Sequence, residues 1–358
     1  MLDKNKDCVG IVGAGNSARA LSCYLMSRGY KVNIYARNPE KAREIPRVIT
    51  AKDKIEGDFR YNMITSSLKE LTEGSSVIFV ATVTTAYSDV AEKIAPFMTK
   101  RIPIILFSGK LGGVCEFTEA LKRNGVEDVP VLETDAIFAC RITDKNTIWV
   151  KGFKKWNIYT AERHSKTIEH GHILEEFFPY LKPADNFIQR GLSDFGAMSH
   201  SLIMLINMNE IDRKHKFLFY YEGFSEHTFC LLEEMEKERN LLASAYDTSL
   251  ISLADMLDGY YQCKKPTLPE TLLNVPNYKS SISPDSLNNR YVFEDVGNTL
   301  VPAHYLAEKA NIRLPLMDAI ITISSILLKT DFLATGRTLD KLGLGGMSFG
   351  EIKRRINS

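Results

Sequence analysis

The sequence lacks an excess of charge of either sign: 45 Lys+Arg stand against 44 Asp+Glu, a formal net charge of +1. Such a balance supplies no bulk attraction for nucleic acid or an anionic membrane, so neither is expected as a partner. Cysteine is scattered. Cys8, Cys23, Cys115, Cys140, Cys230 and Cys263 form no CxxC and no Cys/His pattern at zinc spacing, which excludes a disulfide scaffold and predicts reduced thiols in a cytoplasmic protein. Long apolar runs are also missing. The most apolar late stretch, Leu314–Leu328, is interrupted by Pro315 and Asp318 and falls short of the ~20 residues of a membrane span. It reads as a buried helix whose apolar face suits a homodimer. The first seven residues lack the apolar core of a signal peptide. His164, His170 and His172 surround Glu169, but i,i+2 histidines diverge on a helix, so a solvated surface is expected and no metal. What remains is an ordinary globular composition over 358 residues, 44% hydrophobic and 25% charged, long enough for two domains.

The first 185 residues read as a Rossmann-type doubly wound α/β domain. Cys8–Val12 is an apolar strand, followed directly by Gly13-Ala14-Gly15-Asn16-Ser17-Ala18 and a helical pattern that stops at Gly29. This is strand, GxGxxA turn, helix. Gly13 permits the tight turn, Gly15 leaves room for a pyrophosphate, and Ala18 lets the helix approach the sheet. The free N–H groups of Asn16, Ser17 and their neighbours face the phosphates. A site for NAD usually carries Asp or Glu at the end of the second strand to hold the ribose 2′-OH. Here Val32–Ala36 ends in Arg37-Asn38, with Lys41 and Arg43 beyond. An acid would repel a 2′-phosphate and Arg37 can grip one, so NADP(H) is favoured over NAD(H). The alternation continues through strands at 76–82, 102–107, 129–132 and 137–141. Thr82–Thr85 and Ser108–Gly113 then line the cofactor crevice, beyond the carboxyl ends of their strands.

From residue 186 onward the periodicity is helical and predicts an all-α substrate and catalytic domain. Phe195, Met198, Leu202, Leu205, Met208 and Asn209 trace one long helix, with His200 and Asn207 on one face at i,i+7. Histidine on an apolar helix is commonly a packed core residue. It is also the side chain that moves protons near neutrality, which hydride chemistry needs beside it. Phe217–Ser225 is an aromatic run expected in the core, and Glu226–Ala245 an amphipathic helix. Met256–Ser283, with Pro266, Pro269 and Pro276, reads as a loop-rich lid. Glu294-Asp295 offers a carboxylate that would orient the imidazole.

The chain resembles the octopine/nopaline (opine) dehydrogenase family. The resemblance covers nearly the whole length and rests on Gly13-Ala14-Gly15-Asn16, Glu133-Thr134 with Cys140-Arg141, and His200 followed by Leu205-Ile206-Asn207. Phe219-Tyr220-Tyr221-Glu222-Gly223, Glu236-Lys237-Glu238-Arg239, Arg290-Tyr291 to Glu294-Asp295-Val296, and Gly336-Arg337-Thr338-Leu339 extend it. It implies an enzyme that uses NADP(H) or NAD(H) to join an amino acid reductively to a 2-oxo acid, with His200 and Asp295 as the catalytic pair; Arg37 favours NADPH as the donor. Asn207 and Tyr221 are expected either at the substrate or behind the groups that touch it, and Arg141 either on a substrate carboxylate or in a structural salt bridge. Ser201 and Gly297 stand where the family pattern has proline, and Asp135-Ala136-Ile137-Phe138 replaces a more apolar turn. Two other readings stay open: a 2-dehydropantoate-reductase-like 2-oxo-acid reductase, whose helical lysine is missing beside His200, and a non-catalytic NADP(H)-binding redox sensor.

Overall fold

A computed structural model of the chain describes residues 2–358, and the chain forms two compact units. The first comprises the residues up to Gly109 together with Phe117–Pro183; the second comprises Lys110–Glu116 and Ala184–Ser358. The excursion of Lys110–Glu116 into the helical unit interrupts the α/β sequence directly after a core strand.

In the first unit the order is β1 Cys8–Val12, α1 Asn16–Ser27, β2 Lys31–Tyr35, α2 Pro39–Glu44, β3 Val48–Asp53, β4 Gly57–Arg60, β5 Met63–Thr65, α3 Leu68–Glu73, β6 Val77–Val80, α4 Tyr87–Ile94, β7 Ile104–Phe107, α5 Gly113–Arg123 (whose first turn belongs to the second unit), β8 Val131–Thr134, β9 Phe138–Asp144, β10 Thr147–Phe153, β11 Ile158–Thr160, α6 His164–Glu175 and β12 Lys182–Pro183. The main sheet runs β12-β11-β8-β7-β6-β1-β2-β5. Its six strands from β5 to β8 are mutually parallel, and β11 pairs antiparallel to β8. Read by chain order, the parallel strands follow 3-2-1-4-5-6, the dinucleotide-binding topology with its switch point between β1 and β6. Four-residue runs such as Val77–Val80 and Ile104–Phe107 are buried throughout, as a parallel sheet covered on both faces requires.

A second sheet, β4-β3-β10-β9, has no counterpart in the sequence pattern; of residues 137–141, which the alternation assigns to the main sheet, Phe138–Arg141 begin β9 instead. Helix α1 packs on both β2 and β9. Its Tyr24 ring stacks on Phe178 at 5.0 Å and tilts against Phe138 and Phe153, so an aromatic core joins the helix to the second sheet.

The second unit contains α7 Phe187–Leu192, α8 Phe195–Ile206, α9 Met208–Asp212, α10 Phe229–Ala245, α11 Leu253–Tyr261, α12 Leu268–Leu273, α13 Arg290–Asp295, a π-helical turn Val296–Leu300, α14 Val301–Lys309, α15 Pro315–Leu328, α16 Phe332–Thr335 and α17 Phe349–Asn357. Helix α8 is the hub: it packs against α10, α11, α13 and α15 and is buried along most of its length. It ends at Ile206, earlier than its apolar periodicity suggests, because Asn207 leaves helical geometry as C-cap and a new helix follows. Residues 256–283 are likewise more ordered than their prolines suggest. They hold most of α11, then α12, whose Thr267–Glu270 capping box satisfies its first amides.

The signature around Glu236–Arg239 does structural work. Glu236 accepts from the Leu253 amide that opens α11, at 2.7 Å. Glu238 accepts from the Leu316 and Met317 amides that open α15, at 2.6 and 2.9 Å. Arg239, fully buried, donates to the Leu192 carbonyl that ends α7. Each charge satisfies a backbone group that a helix end leaves without a partner. On α15, Ile323, Ile326 and Leu327 are exposed. No helix among the described residues is long and apolar enough to cross a membrane.

Candidate active site

The dinucleotide cradle lies at the carboxyl ends of β1 and β6. Gly13 has φ +122°, and a Cβ there would stand 2.5 Å from the Ala81 carbonyl oxygen. Only glycine closes this turn against β6. Gly15 is different: it is the N-cap of α1 with φ −80°, and a Cβ would meet no protein atom within 4 Å. Neither backbone nor packing demands glycine here, and the open space lies against the amide-rich start of a twelve-residue helix, the cradle a pyrophosphate fits. Ala18 is fully buried, Ser17 half-buried and Asn16 exposed. The Asn16 carboxamide oxygen accepts from the Ile142 amide at 2.9 Å, tying the turn to β9. Thr82 follows β6, half-buried. Arg37 and Lys41 are both exposed past β2, where Asn38 caps α2 by accepting from the Glu40 and Lys41 amides. Within the same unit Asp135 is buried. It accepts from the Ala136 amide and Ser108 Oγ and pairs with Lys154, so the acid in the altered turn pins the loops after β7 and β8.

The helical unit carries the titrating groups. His200 sits in the second turn of α8, and Gly196 one turn earlier leaves room for its ring. The imidazole Nδ1 lies 2.8 Å from Asp295 Oδ2, and Nε2 lies 2.7 Å from the Tyr220 hydroxyl. Tyr291 stacks on the ring with centroids 4.0 Å apart. Asp295 ends α13, where the π-helical turn begins; such turns concentrate at functional sites. Its second oxygen, Oδ1, is 2.7 Å from Lys110 Nζ, which is also 2.8 Å from Asp194 Oδ2. All four side chains are largely shielded: Lys110 is 9% exposed, Asp194 3%, Asp295 2% and His200 13%.

Burial alone would raise the Asp295 carboxyl, but Lys110 and His200 outweigh it and hold the group below its ordinary value. Burial pushes the His200 imidazole down, against the opposing pull of Asp295. The pair near neutrality is therefore carboxylate and neutral imidazole. A carboxylate can only accept, so Nδ1 carries the proton and Nε2 presents its lone pair. Burial keeps the Tyr220 phenol far above its ordinary value, and its hydroxyl donates to that lone pair.

His200 and Asp295 are thus in direct contact, and Asn207 and Tyr221 each bond to main-chain carbonyls. The Asn207 amide donates to the Ile203 and Gly223 carbonyls, at 2.9 and 2.8 Å, and closes the end of α8. The Tyr221 hydroxyl donates to the Val275 carbonyl; the neighbouring Tyr220 is the one that reaches the imidazole. Arg141 is exposed on β9 of the first unit. Sequence reasoning missed Lys110, Asp194, Tyr220 and Arg290. Arg290 lies over the Tyr291 ring, 5.1 Å from its centroid, and unlike Lys110 it makes no ion pair among the described residues. Among the described residues no cluster of three or more His, Cys, Asp or Glu side chains is placed to hold a metal.

Both parts of the chain match known protein families. Residues 183–328 match the family described as NAD/NADP octopine/nopaline dehydrogenase, alpha-helical domain, and residues 8–104 match NADP oxidoreductase coenzyme F420-dependent. An opine dehydrogenase from Arthrobacter sp. (strain 1C) is 28% identical over 353 residues, 97% of this chain and 98% of the relative. In fold, the chain is similar to octopine dehydrogenase solved with NADH and agmatine (TM-score 0.75, 18% identity, 96% of this chain and 98% of that one). It is also similar to yersinopine dehydrogenase with NADP+ bound (TM-score 0.72, 14% identity, 99% and 98%). The chain thus carries a dinucleotide-binding sheet ahead of a helical domain that matches the NAD/NADP octopine/nopaline dehydrogenase family over residues 183–328.

Proposed function

We propose that the protein is an NADPH-dependent opine dehydrogenase that condenses the amine of an amino acid with the carbonyl of a 2-oxo acid and reduces the resulting imine. The observation that carries this reading is the His200–Asp295 pair, whose Nδ1–H is spent on a carboxylate and whose Nε2 lone pair faces Tyr220. When bound across Gly13–Ala18, the nicotinamide cofactor supplies the hydride. The bare Nε2 of His200 takes the proton that the amino acid's ammonium must lose before its amine attacks the carbonyl, and the imidazolium, stabilised by Asp295, returns it to the carbonyl oxygen that leaves as water; oxidation runs these transfers in reverse. Tyr220 yields its place on Nε2 to the substrate. Both substrates carry a carboxylate, and Arg290, beside the imidazole through Tyr291, is the cation free to receive one. Tyr220 and Arg290 join Asn207, Tyr221 and Arg141 as the residues that would hold the substrate, directly or through a neighbour. Arg37, with Lys41, favours NADP(H) over NAD(H). Six free thiols suit a cytoplasmic setting, and the exposed Ile323–Leu327 face of α15 is the homodimer surface.

The test follows NADPH oxidation with pyruvate or 2-oxoglutarate, each with and without a panel of amino acids. Oxidation only with both substrates is expected. Oxidation with keto acid alone would make the protein a simple reductase, and none with any pair would leave a sensor. His200→Ala should cost about 10²–10⁴-fold in kcat with NADPH affinity kept.

A further inference from the structure

We propose that Lys110 is a positioning residue for the His200–Asp295 pair: its ammonium ties Asp295 to the N-cap of the helix that carries His200. The inference rests on the proton-transfer role given to His200 above. Four links close a ring. Asp194 is the N-cap of α8, and its Oδ1 accepts from the Ala197 amide at 3.2 Å. Its Oδ2 holds Lys110 Nζ at 2.8 Å, Nζ holds Asp295 Oδ1 at 2.7 Å, and Asp295 Oδ2 holds His200 Nδ1 at 2.8 Å, back on α8. A carboxylate held only by an imidazole can turn about its last torsion. With both oxygens engaged the plane of Asp295 is fixed, and so is the line along which Nδ1–H points. The Nε2 lone pair, on the far side of a rigid ring, inherits that direction.

The backbone supports the same reading. Lys110 has φ +59°, the left-handed region that disfavours residues with a Cβ. Glycine is the ordinary occupant of such a turn and abounds here, with Gly109, Gly112 and Gly113 around it. A lysine in that conformation marks a position kept for its side chain. The strained peptide is held from several directions. The Lys110 carbonyl accepts from Arg190 Nη2 at 3.2 Å, the Leu111 amide donates to Asn298 O at 3.1 Å, and the Leu111 carbonyl accepts from Arg337 Nη1 at 3.0 Å.

The groups facing His200 are Asp295 with Lys110 and Asp194 behind it, Tyr220 at Nε2, and Tyr291 under Arg290. Removing the Lys110 cation raises the proton affinity of the pair, and removing the Asp194 anion lowers it. An ion pair that served the framework alone, without reaching the imidazole, would leave the midpoint where it is.

The experiment titrates the histidine ring signals by NMR in the full-length protein, with His200 identified by its loss in His200→Gln. Lys110→Met should move the His200 midpoint up by about one pH unit, a tenfold gain in proton affinity, with Lys110→Arg closer to the parent. Asp194→Asn keeps the helix cap, since Asn caps as well as Asp, and should move the midpoint down. In turnover, Lys110→Met should lose more than ~10-fold in kcat with NADPH affinity retained. A folded Lys110→Met with an unmoved midpoint overturns the proposal. If that variant does not fold, an unmoved midpoint in Asp194→Asn overturns it instead. Opposite shifts without turnover on any amino acid and 2-oxo acid would support the clamp and refute the proposed reaction.

Discussion

Gly196→Ala separates catalytic geometry from stability more sharply than any change of a charged group. Gly196 lies in the first turn of α8, four residues before His200. A Cβ there would stand 2.6 Å from His200 Cε1, 3.1 Å from Nε2 and 3.2 Å from Asp194 Oδ1. Carbon atoms settle at ~3.5–4.0 Å, so the imidazole must retreat by about 1 Å. It has little room to do so, being held by Asp295 at 2.8 Å, by Tyr220 at 2.7 Å and by the Tyr291 ring. The retreat stretches at least one of those bonds beyond hydrogen-bond range.

Two stability effects then oppose each other. Losing a hydrogen bond to a charged group costs ~1.5–3 kcal/mol, and replacing helical glycine by alanine returns up to ~1 kcal/mol. The net is a loss of about 0.5–2 kcal/mol, a fall of only a few degrees in Tm for a unit of this size. Catalysis has no such offset: a misplacement of 1 Å costs on the order of 10²-fold. Steady-state assays with amino acid, 2-oxo acid and NADPH should therefore show kcat down ~100-fold, with cofactor affinity and Tm close to the parent. A folded Gly196→Ala with kcat within about threefold of the parent would show that the observed imidazole pose is not the working one.

The remaining predictions follow from single contacts. Burial depresses His200 in the folded state, whereas the unfolded chain titrates near the ordinary ~6.5. As pH falls through that value the unfolded state takes up the proton first, so stability drops with acidification. Thermal melts from about pH 7.5 to 5.5 should slope more steeply for the parent than for His200→Gln, and equal slopes refute the assignment. Arg37→Asp should weaken NADPH binding by ~10- to 100-fold and leave NADH unharmed, measured by fluorescence titration; equal loss for both would remove Arg37 from the 2′-phosphate. Arg337 is fully buried and meets Glu116 at 2.6 Å, so Arg337→Met should cost ~3–5 kcal/mol. That is a Tm lower by roughly 6–20 °C, and a melt within ~2 °C of the parent would contradict it.

The parallel sheet was legible because its signals are local: continuous apolar strands, a glycine turn and the helix that follows. The second sheet was not. Lys52, Asp53, Lys54, Glu56 and Asp58 crowd the segment from β3 into β4, and its register depends on β10, nearly a hundred residues away. His200 and Asp295 could be paired by chemistry, one base and one acid, across 95 residues. Tyr220 could not be told from Tyr221, because the segment around them is an irregular turn with no period to say which ring faces the helix. Lys110 left one readable trace, a lysine set among glycines. Its partners are 84 and 185 residues further along, so only the folded chain shows them.

The interior charges also divide by what they touch. Arg190, Arg239 and Arg337 each donate to main-chain carbonyls, and Glu236 and Glu238 each accept from helix-opening amides. Such groups replace water at places where helices end, and any side chain of the right reach and charge would serve. Lys110 differs because its carboxylates lead onward, one to the cap of α8 and the other to a ring that titrates. A charge whose partners belong to the framework can be judged by melting temperature. One that sets the proton affinity of a neighbour must be judged by that neighbour's titration. On this distinction Arg337 is expected to move Tm and leave the His200 midpoint alone, and Lys110 to move the midpoint. The two variants measured side by side therefore test whether the site's electrostatics can be separated from the framework that holds it.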